Sequence, residues 1–188
     1  MFVLGGPGSG KGTQCTSLKE NHSFLHISTG DLLRDEVKNN GPKAEEIAKI
    51  QQEGGLVSSK ILVDLLKNML DKNPGSKILL DGFPRSQENI DEWNKTIGDS
   101  AIVPFLLFYE CSEEVLTQRL LERGKSSGRT DDNEEAIKLR LKTFNDQTLP
   151  IVEIKEKEGK LVRINSERSK EEVYQDTIKA FKEHKVIS

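Results

Sequence analysis

This sequence contains no run of about 18 apolar residues, the length a membrane-crossing helix needs, so no span is expected. It has no basic excess either. Its 28 Lys and Arg stand against 31 Asp and Glu, for a net charge of −3. That argues against a general nucleic-acid or membrane-surface binder. Cysteine is scarce: Cys15 and Cys111 lie far apart and without metal-ligand spacing. One disulfide is open to them, but two free thiols in a reducing compartment are the better reading. The first glycines begin at position 5 and leave no room for a signal peptide ahead of them. The first strand also starts so early that a few native residues are expected to be missing. No internal repeat or low-complexity tract is present. A chain of 188 residues is one domain and can bury a core without disulfides or structural metal. The expectation is an intracellular, cytoplasmic protein, with the nucleus also open to it.

What is present is alternation. Short β-like runs fall at Phe2-Val3-Leu4, Phe24-Leu25-His26-Ile27, Ile78-Leu79-Leu80, Val103 to Tyr109, and Leu161-Val162-Arg163-Ile164. Each is bounded by turn formers and followed by a helix-like segment. The pattern reads as α/β, with a parallel sheet and right-handed crossovers. After its proline, the run to Tyr109 is apolar on both faces, as in a strand covered by helices on both sides. Residues 28–57 are polar and mostly helical, ending in a Gly54-Gly55 turn. Residues 124–133 hold no apolar side chain and must form a surface loop.

The first strand runs into Gly5-Gly6-Pro7-Gly8-Ser9-Gly10-Lys11-Gly12-Thr13. Gly5, Gly10 and Lys11 match G-x-x-x-x-G-K-[ST], in which backbone amides wrap phosphate oxygens, a helix N-terminus adds its dipole, and the lysine reaches the outer phosphates. Gly12 replaces the usual metal-binding hydroxyl, and Thr13 comes one residue late. The strand Ile78-Leu79-Leu80 ends in Asp81, a carboxylate suited to organise Mg²⁺. With no hydroxyl at position 12, the ion is expected to be held by ATP oxygens and by waters that Asp81 orients.

Arginines gather at the same end. Arg85 lies just past the Asp81 strand, in the crevice where open α/β sheets bind ligands. Arg34 stands one turn into a helix, three residues from Asp31. Arg119 and Arg123 share a helix face, Arg129 lies in the polar loop, and Arg140 is in the helix after it. Asp132 to Glu135 has capping-box spacing for that helix, and Asp131 and Asp132 form turns or pair with nearby arginines. Any one arginine is ordinarily a solvated surface residue. The set suits two phosphorylated substrates brought together by rigid, bidentate cations.

Residues 5–13, 28–34, 81–85 and 124–133 together resemble the nucleoside monophosphate kinases of the adenylate kinase family, over nearly the whole chain. In that family a glycine at position 12 is normal. The resemblance implies a P-loop NTPase fold with a five-stranded parallel sheet flanked by helices. It also implies a monophosphate-binding segment at about 28–57 and a short lid at about 123–133, without the cysteine-based zinc site of longer lids. It implies that Gly6, Pro7, Gly8, Ser9, Gly10, Lys11, Gly12 and Thr13 hold the ATP phosphates, with Arg119 and the backbone near Arg168 at the adenine. Arg34 and Arg85 would hold the acceptor phosphate, with Thr29, Gly55, Leu56, Val57, Gly82 and Asn89 also lining the acceptor. Arg123, Arg129 and Arg140 would close on the transferring group.

Asn89, four residues past Arg85, resembles the UMP-CMP kinase branch, as do Trp93-Asn94-Lys95 and residues 125–129. Thr29 resembles the AMP-specific branch instead. The expected reaction is ATP and UMP or CMP, and dCMP as a further acceptor, going to ADP and the diphosphate, with Mg²⁺, in a monomer. A flip of the Asn89 amide would suit either uracil or cytosine, although Asn89 could also merely cap the helix starting near Ile90. The acceptor phosphate has a second pKa of about 6, so it attacks already ionised and needs no general base. His22, His26 and His184 are therefore assigned to surface or core packing. The alternatives are an AMP kinase, a non-catalytic phosphate-loop module and, with little support, a structural interaction protein.

Overall fold

The computed structural model describes residues 1–53, 55–127 and 131–187. Its strands are β1 (Phe2–Gly5), β2 (Leu25–Ser28), β3 (Ile78–Asp81), β4 (Leu106–Glu110) and β5 (Leu161–Asn165). The α-helices among the described residues are α1 (Lys11–His22), α2 (Thr29–Lys38), α3 (Ala44–Gln52), α4 (Ser59–Asp71), α5 (Gln87–Thr96), α6 (Glu113–Gly124), α7 (Glu134–Thr143), α8 (Leu149–Lys157) and α9 (Lys170–Glu183). The five strands form one sheet in the order β2-β3-β1-β4-β5, every neighbouring pair parallel. The expected α/β architecture is thus present.

Side chains alternate across this sheet, and each face has its own core. Phe2, Leu4, Ile27, Leu80, Leu106 and Phe108 pack with residues of α4, α5 and α8. Val3, Leu79, Leu107 and Tyr109 pack with Cys15 and Leu18 of α1 and with Phe181 of α9. The double-sided burial read in the run to Tyr109 holds, but β4 begins at Leu106 rather than Val103. Pro104 has no N–H to give a ladder, and Ile102 stands exposed, so pairing starts beyond them. A small third cluster, Leu116, Leu120, Ile137 and Leu141, joins α6 to α7.

From β1 the chain crosses to the edge strand β2, returns to β3 between them, and then crosses β1 to β4 and β5 on the other side. The crevice at the C-terminal ends of β1 and β3 is where such a sheet takes ligands. The polar stretch 28–57 forms α2 and α3, with Gly54 outside the described residues. Both cysteines are free, and no helix among the described residues is long and apolar enough to cross a membrane.

Candidate active site

Past β1 the chain wraps through residues 6–10 into α1. Gly10 is the N-cap, at φ 84°, a left-handed conformation that a β-carbon disfavours. No side chain caps this helix. Ser28, Ser86, Asn133 and Ser169 do cap α2, α5, α7 and α9 with side-chain oxygens. Helices α3, α4, α6 and α8 also lack a side-chain cap. What sets α1 apart is the glycine-rich turn before it. With the first residues of the helix, that turn lines the cavity and leaves the first amides of α1 for an anion, with the helix dipole behind them. Lys11 Nζ donates to the Gly6 carbonyl at 3.3 Å. Burial pushes its pKa down to about 8, Asp81 pulls it back, and Arg85, Arg140 and Arg123 add to the depression. A β-carbon on Gly6 would stand 2.4 Å from Leu116 Cδ1, so a glycine is what lets the loop pass this close to α6. The buried Ser9 hydroxyl has no hydrogen-bond partner.

Asp81, at the end of β3, is buried, and its Oδ2 lies 3.1 Å from His26 Nε2. A β-carbon on Gly12 would stand 3.3 Å from that same oxygen, so glycine is what lets the start of α1 lie against the carboxylate. Ligand atoms of Cys15, His26 and Asp81 lie within 4.8 Å of one another. Burial holds the Cys15 thiol protonated, well above its ordinary pKa, and leaves the carboxylate and imidazole as the useful polar groups. The packing role expected of His26 is therefore corrected: it lines the cavity and holds Asp81. His184 does pack, against Phe105, with ring centroids 4.7 Å apart.

Beyond β3, Gly82 turns at φ 78°. A β-carbon there would meet Arg85 Nη2 at 2.7 Å. Arg85 Nε donates to the Gly82 carbonyl at 2.7 Å, and Nη2 donates to Thr29 Oγ1 at 3.2 Å. The Thr29 hydroxyl faces the carbonyls of Asp81 and Gly82 at 3.1 and 3.0 Å, so it shapes this turn. Thr148 Oγ1 donates to the Arg85 carbonyl at 2.8 Å. Burial, then Arg140, lowers the Arg85 pKa to about 10, which leaves it charged. Arg34 Nη2 donates to Asp31 Oδ1 at 2.5 Å, as their spacing suggested.

Asn89 sits on the third residue of α5, not at its cap. Ser86 is the cap, accepting from Asn89 N. The Asn89 side chain spans two elements: Oδ1 accepts from Arg85 N at 2.9 Å and Nδ2 donates to Ser59 Oγ at 2.8 Å. The expected flip is corrected by this geometry. Turning the amide over would set N–H against N–H at Arg85.

On the far wall, Arg123 makes a two-pronged bond to Asp132, Nε to Oδ2 and Nη2 to Oδ1, both 2.7 Å. Arg140 Nη1 reaches Asp132 Oδ1 and Asp131 Oδ2 at 3.0 Å each. Burial opposes the charge on Asp132, but the bonds from Arg123 and the pull of both arginines outweigh it, so its pKa lies below the ordinary value. The Asp132 hydrogen bond correspondingly lifts Arg123. The capping box expected from Asp132 is absent. Asn133 caps α7, accepting from Ala136 N at 3.0 Å, and Asp132 is spent on the arginines. Arg129 lies outside the described residues. Arg119 Nη2 donates to the Ser166 carbonyl at 3.0 Å, and Arg168 pairs with Asp176.

One cavity of about 710 Å³ gathers Pro7, Gly8, Ser9, Gly10, Lys11, Gly12, Thr13, Thr29, Arg34, Gly55, Leu56, Val57, Asp81, Gly82, Arg85, Asn89, Arg119, Arg123, Arg140 and Arg168. The sequence anticipated these residues. It missed His26, Ser59 and Thr148, which only their three-dimensional neighbours mark. For Asp131 and Asp132 it left turn forming and arginine pairing open, and the structure shows the pairing.

Comparison with known proteins agrees with this arrangement. The family model described as adenylate kinase matches residues 3–160. A UMP-CMP kinase of Rattus norvegicus is 45% identical over 187 residues, covering 96% of this chain and 95% of the rat protein. The Homo sapiens UMP-CMP kinase is 44% identical over the same shares. A uridylate kinase of Saccharomyces cerevisiae is 43% identical, covering 97% of this chain and 90% of the yeast protein.

Proposed function

This chain belongs to the adenylate kinase family, and we propose that it transfers the γ-phosphoryl group of ATP to UMP or CMP, with dCMP as a further acceptor. The observation that carries this reading is the shared cavity. An uncapped phosphate loop with Lys11 forms one wall, and Arg34, Arg85 and an amide-bearing pocket form another. A nucleotide switch would need only the first wall.

The loop amides and Lys11 bind the ATP phosphates, and Arg119 and the backbone near Arg168 flank the adenine. Arg34 and Arg85 orient the acceptor phosphate. That phosphate carries a second pKa of about 6, so its oxygen attacks the γ-phosphorus without a base. Arg123 and Arg140, with Arg129 from the lid at 123–133, surround the charge that develops during transfer. Their closure excludes water that would otherwise hydrolyse ATP. Catalysis is positioning and charge stabilisation. Asp81, with one oxygen fixed by His26 and facing Gly12, fits a hydrated Mg²⁺ held through water. When bound, the ion would neutralise charge on the phosphates. The proposed enzyme acts as a monomer.

The test is a coupled assay of ADP release from ATP with AMP, UMP, CMP or dCMP. Strong stimulation by the pyrimidine monophosphates is expected. Release that no monophosphate stimulates would overturn the kinase reading, and a clear preference for AMP would overturn the choice of acceptor.

A further inference from the structure

Arg85 lies between the end of β3 and the start of α5, where neither a strand ladder nor a helix holds its peptide. Side chains hold it instead. Its N–H donates to Asn89 Oδ1 at 2.9 Å, and its carbonyl accepts from Thr148 Oγ1 at 2.8 Å. The guanidinium is tethered through Nε to the Gly82 carbonyl at 2.7 Å and through Nη2 to Thr29 Oγ1 at 3.2 Å. None of these four bonds is ionic, and Arg140 repels the Arg85 charge. The place of Arg85 therefore rests on neutral, short-range hydrogen bonds. Gly82 and Asn89 are its near neighbours in sequence, whereas Thr148 is 63 residues away.

Thr148 departs from what helical threonines do elsewhere in the protein. Thr16, Thr117 and Thr177 each donate to the carbonyl four residues back, at 3.0, 2.8 and 2.8 Å. For Thr148 that carbonyl would be Phe144, but a five-residue π-turn, Phe144–Thr148, gives it to the Leu149 N–H. Such turns add one residue to a helix and are frequent at functional sites. The Thr148 hydroxyl makes no cap to α8 either. It is buried, lines the cavity, and gives its one hydrogen to the Arg85 carbonyl, a group that can only accept. We propose that Thr148 is a positioning residue for phosphoryl transfer: it anchors the Arg85 peptide and so sets where the guanidinium meets the acceptor phosphate. This rests on the kinase reading above. Thr148 acts through Arg85 and does not itself need to touch the nucleotide.

The experiment measures kcat and KM, for UMP and for ATP, in the wild type, Thr148→Val, Thr148→Ser, Arg85→Ala and the double variant Thr148→Val with Arg85→Ala. Valine keeps the shape and removes the hydroxyl. KM for UMP should rise about five- to tenfold in Thr148→Val, the worth of one hydrogen bond, with a smaller change in kcat and none in KM for ATP. Thr148→Ser keeps the donor and should stay close to the wild type. In the Arg85→Ala background the valine should add little, because no guanidinium is left to position. A purely structural role would instead raise KM by the same factor in both backgrounds. That equal rise, or a Thr148→Val protein that loses only Tm and keeps its KM for UMP, would overturn the inference and leave the kinase standing. Wild-type ADP release that no monophosphate stimulates would overturn the two together.

Discussion

Two sets of cations face the same cavity, and they are held by opposite means. Lys11 and Arg85, next to the ends of β1 and β3, bond to neutral oxygens: the carbonyls of Gly6 and Gly82 and the hydroxyl of Thr29. Both are desolvated, and burial lowers both pKa values, to about 8 and about 10. Arg123 and Arg140 are instead matched with Asp131 and Asp132. The inner pair is kept charged at a cost to folding, and an incoming phosphate relieves that cost. The outer set is already compensated and contributes to the resting fold. Binding strength should therefore concentrate on the inner cations, while the outer ones report on closure and transfer.

Removing the inner lysine should break this contrast most severely. Lys11→Met is expected to lower turnover at least about a hundredfold, since positioned cations contribute several kcal/mol to phosphoryl-transfer transition states. The same variant should melt higher than the wild type without nucleotide. Lys11 titrates lower in the folded chain than its ordinary 10.5. The unfolded chain then holds more protons between about 8 and 10.5, and wild-type stability should rise with pH across that window. Near-normal turnover in a folded Lys11→Met protein would sink the phosphate-loop assignment.

Arg85 and Arg123 should separate by kind. Arg85→Ala removes a contact to charge present before reaction, so KM for the monophosphate should rise by about 10–100-fold, the worth of a charged hydrogen bond. Arg123→Ala removes a contact to charge that develops during transfer, so kcat should fall by about the same factor with little change in KM. Initial rates over a grid of both substrates measure the split. If both variants altered only KM for ATP, the division into inner and outer cations would have no functional meaning.

The sequence made the inner set plain and the outer set only partly so. The phosphate loop depends on glycines at fixed spacing, and Asp81 and Arg85 follow directly from a strand end. Both are local patterns, as are the five strands. The partners of Arg123 and Arg140 depend on how α6 and α7 pack through Leu116, Leu120, Ile137 and Leu141. Spacing made Asp132 a helix cap, but tertiary charge pairing prevailed and the cap passed to Asn133. Asn89 shows a similar limit. Its identity suggested base reading, but its amide is also held by Ser59, 30 residues away, a contact that could not be read along the chain.

A subtler effect should appear when the inner lysine is titrated. ATP phosphates are attracted to protonated Lys11, whose pKa in the unliganded protein is about 8. Affinity for ATP should be level below that pH and weaken above it, by at most about tenfold per pH unit. Calorimetric titration from pH 7 to about 9.5 checks this. The bend should vanish in Lys11→Met, while a bend that persists there would belong to another group.

The smallest effect should come from the partner of the outer arginines. The Asp132 side chain is wholly shielded from solvent, while Arg123 and Arg140 keep 33% and 20% of theirs exposed. Asp132→Asn leaves these arginines within reach of water, so its cost stays below that of a fully buried orphaned charge, at about 1–3 kcal/mol. For a chain of this size that is a fall in Tm of roughly 2–12 °C. The pH dependence identifies the cause. The folded pKa of Asp132 lies below its unfolded value. Its contribution is therefore complete above the ordinary carboxylate pKa of about 3.9 and is lost as pH falls through the lower folded value. The stabilities of wild type and Asp132→Asn should differ at neutral pH and converge in acid. Turnover separates two uses of the same ion pair. If Asp132 holds Arg123 in position for transfer, kcat should fall in Asp132→Asn, though by less than in Arg123→Ala. If it holds Arg123 away from the substrate, kcat would rise. The two-pronged geometry, both bonds at 2.7 Å, favours positioning, because it fixes the plane of the guanidinium as well as its place.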